Sequence, residues 1–379
     1  MGAQRIAVAE PGQGYLSLPE AGRGPGLLLL PEVSAVTDAA REIADHFAEE
    51  GYVTLVPEFA SGEEVAGVAA AATRLRALPE CSGKLGALGF STGGRLAWQA
   101  AARGDVDCAV AYYPRDIDGA LTAPPTVPLV MHFAAGDTLV PAASVDLVRA
   151  ALQGHPEAEI HVYPGVGHAF ANPHAPAWNR PGSMVAHSRT LGLLRRVIGP
   201  RYDLSALWDQ HLMQEFGVKD AAGTMRTMVA EPYVNHAPIM TGGVGHDELK
   251  HFYATHFIPT LPSDVVMIPI SRTVGPDRVV DEMYSSFTHD VEIDWMLPGI
   301  KPTGRRVEVA VVTVVNFRGP RLYHEHIYWD QASVLVQLGL LDPTGLPVAG
   351  AEAARKILDP SLPSNTLMPN WGPPAKDAR

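Results

Sequence analysis

The chain has 379 residues, of which 46% are hydrophobic and 18% charged, and its net charge is −12. This composition is that of a globular protein, and the length allows two or three domains with cores of their own. The negative charge argues against non-specific binding to nucleic acid or to anionic membranes, because both need an excess of Lys and Arg. The sequence also lacks an apolar run long enough to span a bilayer and the apolar core of a signal peptide, so we expect no membrane partner.

The chain contains two cysteines, Cys81 and Cys108. Two are too few for a disulfide framework or a zinc site. We therefore expect buried free thiols in a reducing compartment, the cytoplasm, and neither a metal nor another cofactor.

The first 200 residues alternate short apolar runs with helical patterns, which is typical of an α/β domain with a doubly wound, mostly parallel sheet. A helix is predicted over 37–51, with Thr37 as its cap and Gly51 at its end. The segment 199–202 (GPRY) marks a break. The predicted strands are QRIAVAE, GLLLLPE, YVTLVPE, KLGALGF, CAVAYYP, VPLVMHFA and EIHVYPG.

One of these strands runs directly into a G-x-S-x-G motif, whose serine is Ser91. A strand before the serine and a helix after it form the turn that a nucleophile elbow requires, with the N–H of Thr92 directed at a developing oxyanion. Asp137 follows a later strand and His168 follows the next one. The order Ser, Asp, His, each after a strand, predicts Ser91 as the nucleophile, His168 as the base and Asp137 as the acid that orients the base.

After the break the pattern changes to helices over 204–216 and 245–257, followed by strand-like segments over 264–274, 278–293, 305–319 and 321–330. Helices followed by a run of strands predict an α+β domain with a curved antiparallel sheet. We place this domain at 204–345. From 346 to 379 the chain is rich in Pro and Ala, and we expect an extended tail.

The last of these strands contains His324 and His326, which share one face, while Glu325 points to the other. A His-x-His pair can bind a metal, but His236, His289 and Asp290 are not at a spacing that would complete a site. We therefore favour neutral histidines or carboxylates that line a pocket over a metal site.

Residues 24–199 resemble the dienelactone hydrolase family of α/β-hydrolases in the segments LLLLPEV, EEGYVTLVPEF, GKLGALGFSTGGRLAW, VPLVMHFAAGDTLVP and VYPGVGHAFAN. The resemblance implies ester or lactone hydrolysis by Ser91, Asp137 and His168. It also implies an auxiliary role for Glu32 and a second oxyanion donor in the N–H of Val33. The family's nucleophile is usually a cysteine, and its substrate-binding arginines have no clear match here, because Asn172 stands where one would fall.

Residues 204–341 resemble the SnoaL-like branch of the nuclear-transport-factor-like cone fold, in YVNHAP, GHDELKHFYATHF and YHEHIYWDQASVLVQLGLL. This resemblance implies a cone-shaped domain that binds small organic molecules. It also implies the pocket candidates, which are His236, His324, His326 and Asp330. Three hypotheses follow. In the first, the protein is a serine hydrolase of a small-molecule ester or lactone. In the second, it is a cyclase or isomerase whose main chemistry lies in the second domain. In the third, the second domain is a non-enzymatic module that senses a ligand or forms a homodimer.

Overall fold

The computed structural model describes residues 2–9, 12–33, 35–60 and 62–372. The chain divides into two compact units, Met1–Tyr202 and Asp203–Arg379. In the described residues, no helix is both long enough and apolar enough to cross a membrane.

The first unit is built on an eight-stranded sheet with the order β1-β2-β4-β3-β5-β6-β7-β8. β1 and β2 form an antiparallel hairpin, β2 is antiparallel to β4, and all other neighbours are parallel. The strands are β1 (Gly2–Ala9), β2 (Gly12–Leu18), β3 (Gly24–Leu30), β4 (Val53–Pro57), β5 (Cys81–Phe90), β6 (Cys108–Tyr112), β7 (Leu129–Ala134) and β8 (Ala158–Tyr163).

Five helices cover this sheet: α1 (Asp38–Glu49), α2 (Glu64–Arg76), α3 (Thr92–Arg103), α4 (Ala142–Ala151) and α5 (Arg180–Val197). Alternate residues of β3 belong to different apolar clusters: Leu28 and Leu30 pack with residues of α2, α3 and α4, and Leu27 and Leu29 pack with residues of α1 and α5. The central strands are therefore buried on both faces, which explains their continuous apolar runs and confirms the predicted mostly parallel α/β sheet.

The sequence analysis did not predict β2, although it is a full member of the sheet. Its segment GQGYLSL contains two glycines and a serine, which are poor strand formers, so the local signal is weak. Tertiary contacts compensate, because the hydroxyl groups of Tyr15 and Ser17 both donate hydrogen bonds to the Asp45 carboxylate on α1.

The second unit contains a six-stranded sheet with the order β10-β9-β14-β13-β12-β11. All neighbours are antiparallel except β9 and β14, which run parallel. The strands are β9 (Met228–His236), β10 (Thr241–Val244), β11 (Val266–Val274), β12 (Arg278–Thr288), β13 (Arg306–Arg318) and β14 (Arg321–Trp329). The α+β organisation agrees with the prediction, but β9 and β10 were not predicted as strands.

Helices α6 (Leu204–Leu212), α7 (Ala221–Arg226) and α8 (His246–His251) precede β11, and α9 (Gln331–Gln337) follows β14. α6 and α8 continue into the π-helical turns Met213–Val218 and Phe252–Phe257. Side chains from one face of the sheet enclose a cavity together with side chains from these helical segments.

The segment from 346 onward was expected to be extended, but the structure places helix α10 (Ala351–Leu358) within it. The sequence AEAARKIL consists largely of strong helix formers, and the fold gives the helix two anchors. Ala354 is buried, and Arg355 forms an ion pair with Glu308 on β13. Residues 373–379 of the predicted tail lie outside the described residues.

Candidate functional site

Ser91 lies at the sharp turn between β5 and α3, with φ 53° and ψ −117°. A non-glycine residue in this region is strained, so the surrounding chain has to hold it there. The two glycines of the motif allow the turn: a Cβ on Gly89 would lie 2.0 Å from the carbonyl oxygen of Gly93, and one on Gly93 would lie 2.1 Å from that of Leu30. The G-x-S-x-G pattern thus has a steric cause at both of its glycines.

His168 and Asp137 are both brought to Ser91. His168 Nε2 lies 3.0 Å from Ser91 Oγ, and His168 Nδ1 lies 2.8 Å from Asp137 Oδ2. The second oxygen of Asp137 accepts hydrogen bonds from the N–H groups of Leu139 and Val140, which fixes the carboxylate. Since the carboxylate can only accept, Nδ1 donates to it, and Nε2 of the neutral ring is left to accept the serine proton.

Thr92 and Val33 are held next to each other by a side-chain contact. The Thr92 hydroxyl donates a 2.6 Å hydrogen bond to the carbonyl oxygen of Glu32, the residue that precedes Val33. Thr92 is the first residue of α3. Its N–H therefore belongs to the first turn of the helix, where the N–H groups have no acceptor within the helix and their partial positive charge favours an anion. The predicted oxyanion donors therefore lie in two segments that this hydrogen bond ties together.

Glu32 points into the protein beside Tyr113, a residue that the sequence analysis did not single out. The Glu32 Oε1 atom and the Tyr113 hydroxyl are both buried, and neither makes a hydrogen bond of ordinary geometry with the described residues. Burial, with the nearby Glu32 carboxylate adding to it, raises the pKa of Tyr113 well above its usual value. The Tyr113 ring also packs edge-on against His168, with 4.8 Å between ring centroids, and so supports the imidazole.

A cavity of about 280 Å³ lies beside this site. Glu32, Val33 and Asn172 line it together with apolar side chains, and none of its described lining residues is Lys or Arg. Arg115, the arginine that follows β6, is half exposed, with its side chain 3.6 Å from the Asp116 carboxylate. The described lining of the cavity is therefore mostly apolar, with the Glu32 carboxylate, the Asn172 amide and the Thr37 hydroxyl as its polar groups.

His132, on β7, is a core histidine. It is fully buried, with Nδ1 2.9 Å from the Tyr163 hydroxyl and Nε2 3.1 Å from the Thr190 hydroxyl. Burial lowers its pKa well below the usual value, so the ring is neutral.

Of the four pocket candidates in the second unit, only His236 lines the cavity there. Its pKa is lowered to about 4, chiefly by burial. His324 and His326 lie on the opposite face of β14 from the cavity-lining Glu325 and Ile327. Asp330 caps α9 through the N–H of Ser333. No group of three or more His, Cys, Asp and Glu side chains in the described part of the chain could hold a metal ion.

Two carboxylates that line this second cavity were not singled out from the sequence: Glu325 and Glu215, which both contact His211. His211 and Glu215 are four residues apart along one helical segment, a spacing that places them on one face and that could have been noticed. The alternation along the strand placed Glu325 on the face opposite to His324 and His326. The pocket candidates were the two histidines, so the face that bears Glu325 was not considered as the lining of a cavity.

Comparison with known proteins identifies relatives of the first unit. A model of the dienelactone hydrolase family matches residues 13–76 and 60–198. A "Putative carboxymethylenebutenolidase" of Azospirillum brasilense is 30% identical over 217 residues, covering 49% of this chain and 93% of that protein. A carboxymethylenebutenolidase of a Pseudomonas species is 28% identical, covering 48% of this chain and 89% of its own.

Solved structures that align with the chain include an esterase from Pyrococcus furiosus, with a TM-score of 0.42 and 19% identity over 52% of this chain and 93% of that one. A dienelactone hydrolase-like phosphotriesterase from metagenomic libraries aligns with a TM-score of 0.47 and 19% identity, over 52% of this chain and 99% of that one.

Proposed function

Because this chain belongs to the dienelactone hydrolase family through its N-terminal unit and is a hydrolase of carboxylic esters or lactones, we propose that Ser91, His168 and Asp137 form its catalytic triad. The observation that supports this most strongly is the unbroken line of contacts from Asp137 Oδ2 to His168 Nδ1 and from His168 Nε2 to Ser91 Oγ, at 2.8 and 3.0 Å.

In the proposed mechanism, Ser91 Oγ attacks the carbonyl carbon while His168 Nε2 takes its proton. Asp137 holds the ring in the required tautomer and stabilises the imidazolium that forms. The imidazolium then protonates the leaving alkoxide, which leaves an acyl group on Ser91 Oγ. A water molecule, deprotonated by His168, removes this acyl group and restores the serine.

We assign the oxyanion to the backbone N–H groups of Thr92 and Val33. Donors fixed before the reaction lose no energy in reorganisation, and each such donor contributes about 10²-fold to the rate or more. The hydrogen bond from Thr92 to the carbonyl of Glu32 keeps the two segments in place. We assign to Glu32 an auxiliary role beside the resting nucleophile, which its burial next to Tyr113 supports.

The proposed substrate is an uncharged small ester or lactone. A substrate carboxylate would enter a mostly apolar cavity that offers it the Glu32 carboxylate and, among the described lining residues, no Lys or Arg, and burying an unpaired charge is costly. We therefore expect p-nitrophenyl acetate to be hydrolysed with a kcat/KM at least about tenfold higher than p-nitrophenyl hydrogen succinate, since about 1.4 kcal/mol suffices for that ratio. Glu32→Gln should bring the kcat/KM values of the two esters closer together. If wild type hydrolyses the anionic ester with the higher kcat/KM, the proposed substrate class is contradicted.

The triad is tested by p-nitrophenyl acetate turnover in Ser91→Ala. We expect kcat to fall by about 10⁴-fold or more, because the nucleophile and its base act as a unit. Ser188→Ala is the matched control: this serine lies on α5, where its hydroxyl bonds the Met184 carbonyl. Its turnover should equal that of wild type. If Ser91→Ala turns over p-nitrophenyl acetate as fast as wild type, the proposed triad is refuted.

For the second unit we propose a SnoaL-like cone that also forms a homodimer. The six-stranded sheet, with helical segments and a cavity on one face, supports the cone. On its other face the partly buried Val312 and Val314 supply apolar surface for a second copy.

A further inference from the structure

The loop that follows His168 contributes one polar side chain, that of Asn172, to the cavity beside the proposed triad. Two residues further on, His174 Nε2 lies 2.8 Å from Glu42 Oε2 on α1, the helix that forms another part of the cavity lining. The loop and the helix are therefore two walls of one cavity, and this contact joins them.

The backbone of the loop fixes which end of the Asn172 amide is left for the cavity. The His174 N–H donates a 3.0 Å hydrogen bond to Asn172 Oδ1. Because an N–H needs an acceptor, this bond decides which branch of the amide is the oxygen and which is the nitrogen. The oxygen belongs to the turn, so the Nδ2 group, which carries two N–H donors, is the part that a substrate in the cavity can meet.

Glu32 and Thr37 supply the other polar atoms of the described lining. The Glu32 carboxylate can only accept a hydrogen bond. Thr37 Oγ1 accepts from the Ala40 N–H at 3.2 Å, so the hydroxyl keeps its own hydrogen to donate. The described lining thus combines one acceptor group with two donor groups, all of them without positive charge.

This set of donors and acceptors distinguishes between uncharged oxygen groups of a substrate. An ether or a second ester carbonyl only accepts, so it would leave the Glu32 carboxylate without a partner. A hydroxyl group both donates and accepts, and a single one can donate to Glu32 while it accepts from Asn172 Nδ2. A polar group that binding leaves unpaired costs free energy, so the cavity favours a substrate that carries the hydroxyl.

We propose that Asn172, together with Glu32, determines the substrate specificity, and that the substrate is an ester or lactone that carries a free hydroxyl group. The hydroxyl lies in the cavity between Asn172 Nδ2 and the Glu32 carboxylate, while the scissile carbonyl lies at Ser91. This assignment rests on the proposed function of Ser91 and narrows its substrate class.

Two pairs of esters of equal size test the assignment, one for each half of an ester. In the first pair, 2-hydroxyethyl butyrate and propyl butyrate differ by a hydroxyl on the alcohol. In the second, ethyl lactate and ethyl isobutyrate differ by a hydroxyl on the acyl group. Wild type should hydrolyse the hydroxylated member of at least one pair with a kcat/KM about tenfold or more higher, measured by acid release at constant pH.

Turnover of p-nitrophenyl acetate, measured in parallel, reports on the triad separately. If wild type does not hydrolyse it, the proposed function fails, and the hydroxy-ester assignment fails with it. If wild type hydrolyses it but shows equal kcat/KM values within both pairs, or hydrolyses none of the four esters, only the hydroxy-ester assignment is overturned.

Asn172→Asp identifies the group responsible, because it keeps an acceptor for the His174 N–H and replaces Nδ2 by an oxygen. The preference for the hydroxylated ester should fall by about tenfold. Asn172→Leu, which lacks the donor and adds no charge, should lose the preference to the same extent. Asn370→Asp makes the same change at an exposed asparagine and should retain the wild-type preference. A preference that survives in both Asn172 variants would refute the role of this side chain.

Discussion

Ser91 combines the proposed chemistry with a strained backbone conformation. Its φ of 53° costs about 1 to 3 kcal/mol for a non-glycine residue. The chain holds it there with the Ser91 N–H, which donates to the Tyr112 carbonyl, and with the Ser91 carbonyl, which accepts from Gly94 and Arg115. The strain directs Oγ away from both β5 and α3, toward His168.

The pKa of the His211 side chain predicts how the free energy of unfolding depends on pH. Burial opposes its charge, but the Glu215 and Glu325 carboxylates outweigh burial and raise its pKa to about 10. The folded state therefore favours the protonated ring. This contribution to stability is complete below about pH 6.5, the value in the unfolded chain, and is lost as the pH rises to about 10.

Urea unfolding followed by tryptophan fluorescence measures this effect. The free energy of unfolding of the second unit should decrease from about pH 6.5 toward about pH 10. In the double variant His211→Gln/Glu215→Gln, which replaces the ion pair by two amides, the decrease should be smaller. The same pH dependence in both proteins would show that His211 does not cause it.

Among the elements, the turn from β5 to α3 depends on two glycines, Gly89 and Gly93. Gly93→Ala would push a Cβ against the Leu30 carbonyl, and a backbone atom cannot move aside as a flexible side chain can. Overpacking of this kind costs about 1 to 3 kcal/mol, and a displacement of about 1 Å at the nucleophile costs about 10²-fold in rate.

We therefore expect Gly93→Ala to lower the melting temperature by roughly 2 to 12 °C and the esterase kcat/KM by about 10²-fold. Gly119→Ala is the matched control, because nothing lies within 4 Å of its Cβ position and its φ is not positive. It should behave as wild type. A Gly93→Ala protein with normal stability and activity would contradict the steric explanation of the motif.

For the molecule as a whole, the sequence predicts the first unit better than the second. The buried strands of the first unit have continuous apolar runs, and Ser91, Asp137 and His168 follow three of them in order. In the second unit, alternation along β14 shows that His324 and Glu325 point to opposite faces. It does not show which face encloses the cavity, because that depends on how α6 and its continuation pack on the sheet.

The proposed homodimer can be tested on the full chain. If the face that bears Val312 and Val314 pairs two copies, sedimentation should give a dimer for the full chain. Val312→Lys/Val314→Lys should convert it to a monomer, because each copy would place like charges at the interface. A full chain that sediments as a monomer would remove the proposed dimer.

The most direct test of the central claim is covalent labelling with a fluorophosphonate, which reacts with an activated serine. The proposed triad predicts one label per chain, located on Ser91 by mass spectrometry, and little or no labelling in His168→Ala, where the base is missing. Labelling of a different residue, or undiminished labelling of Ser91 in His168→Ala, would contradict the proposed triad.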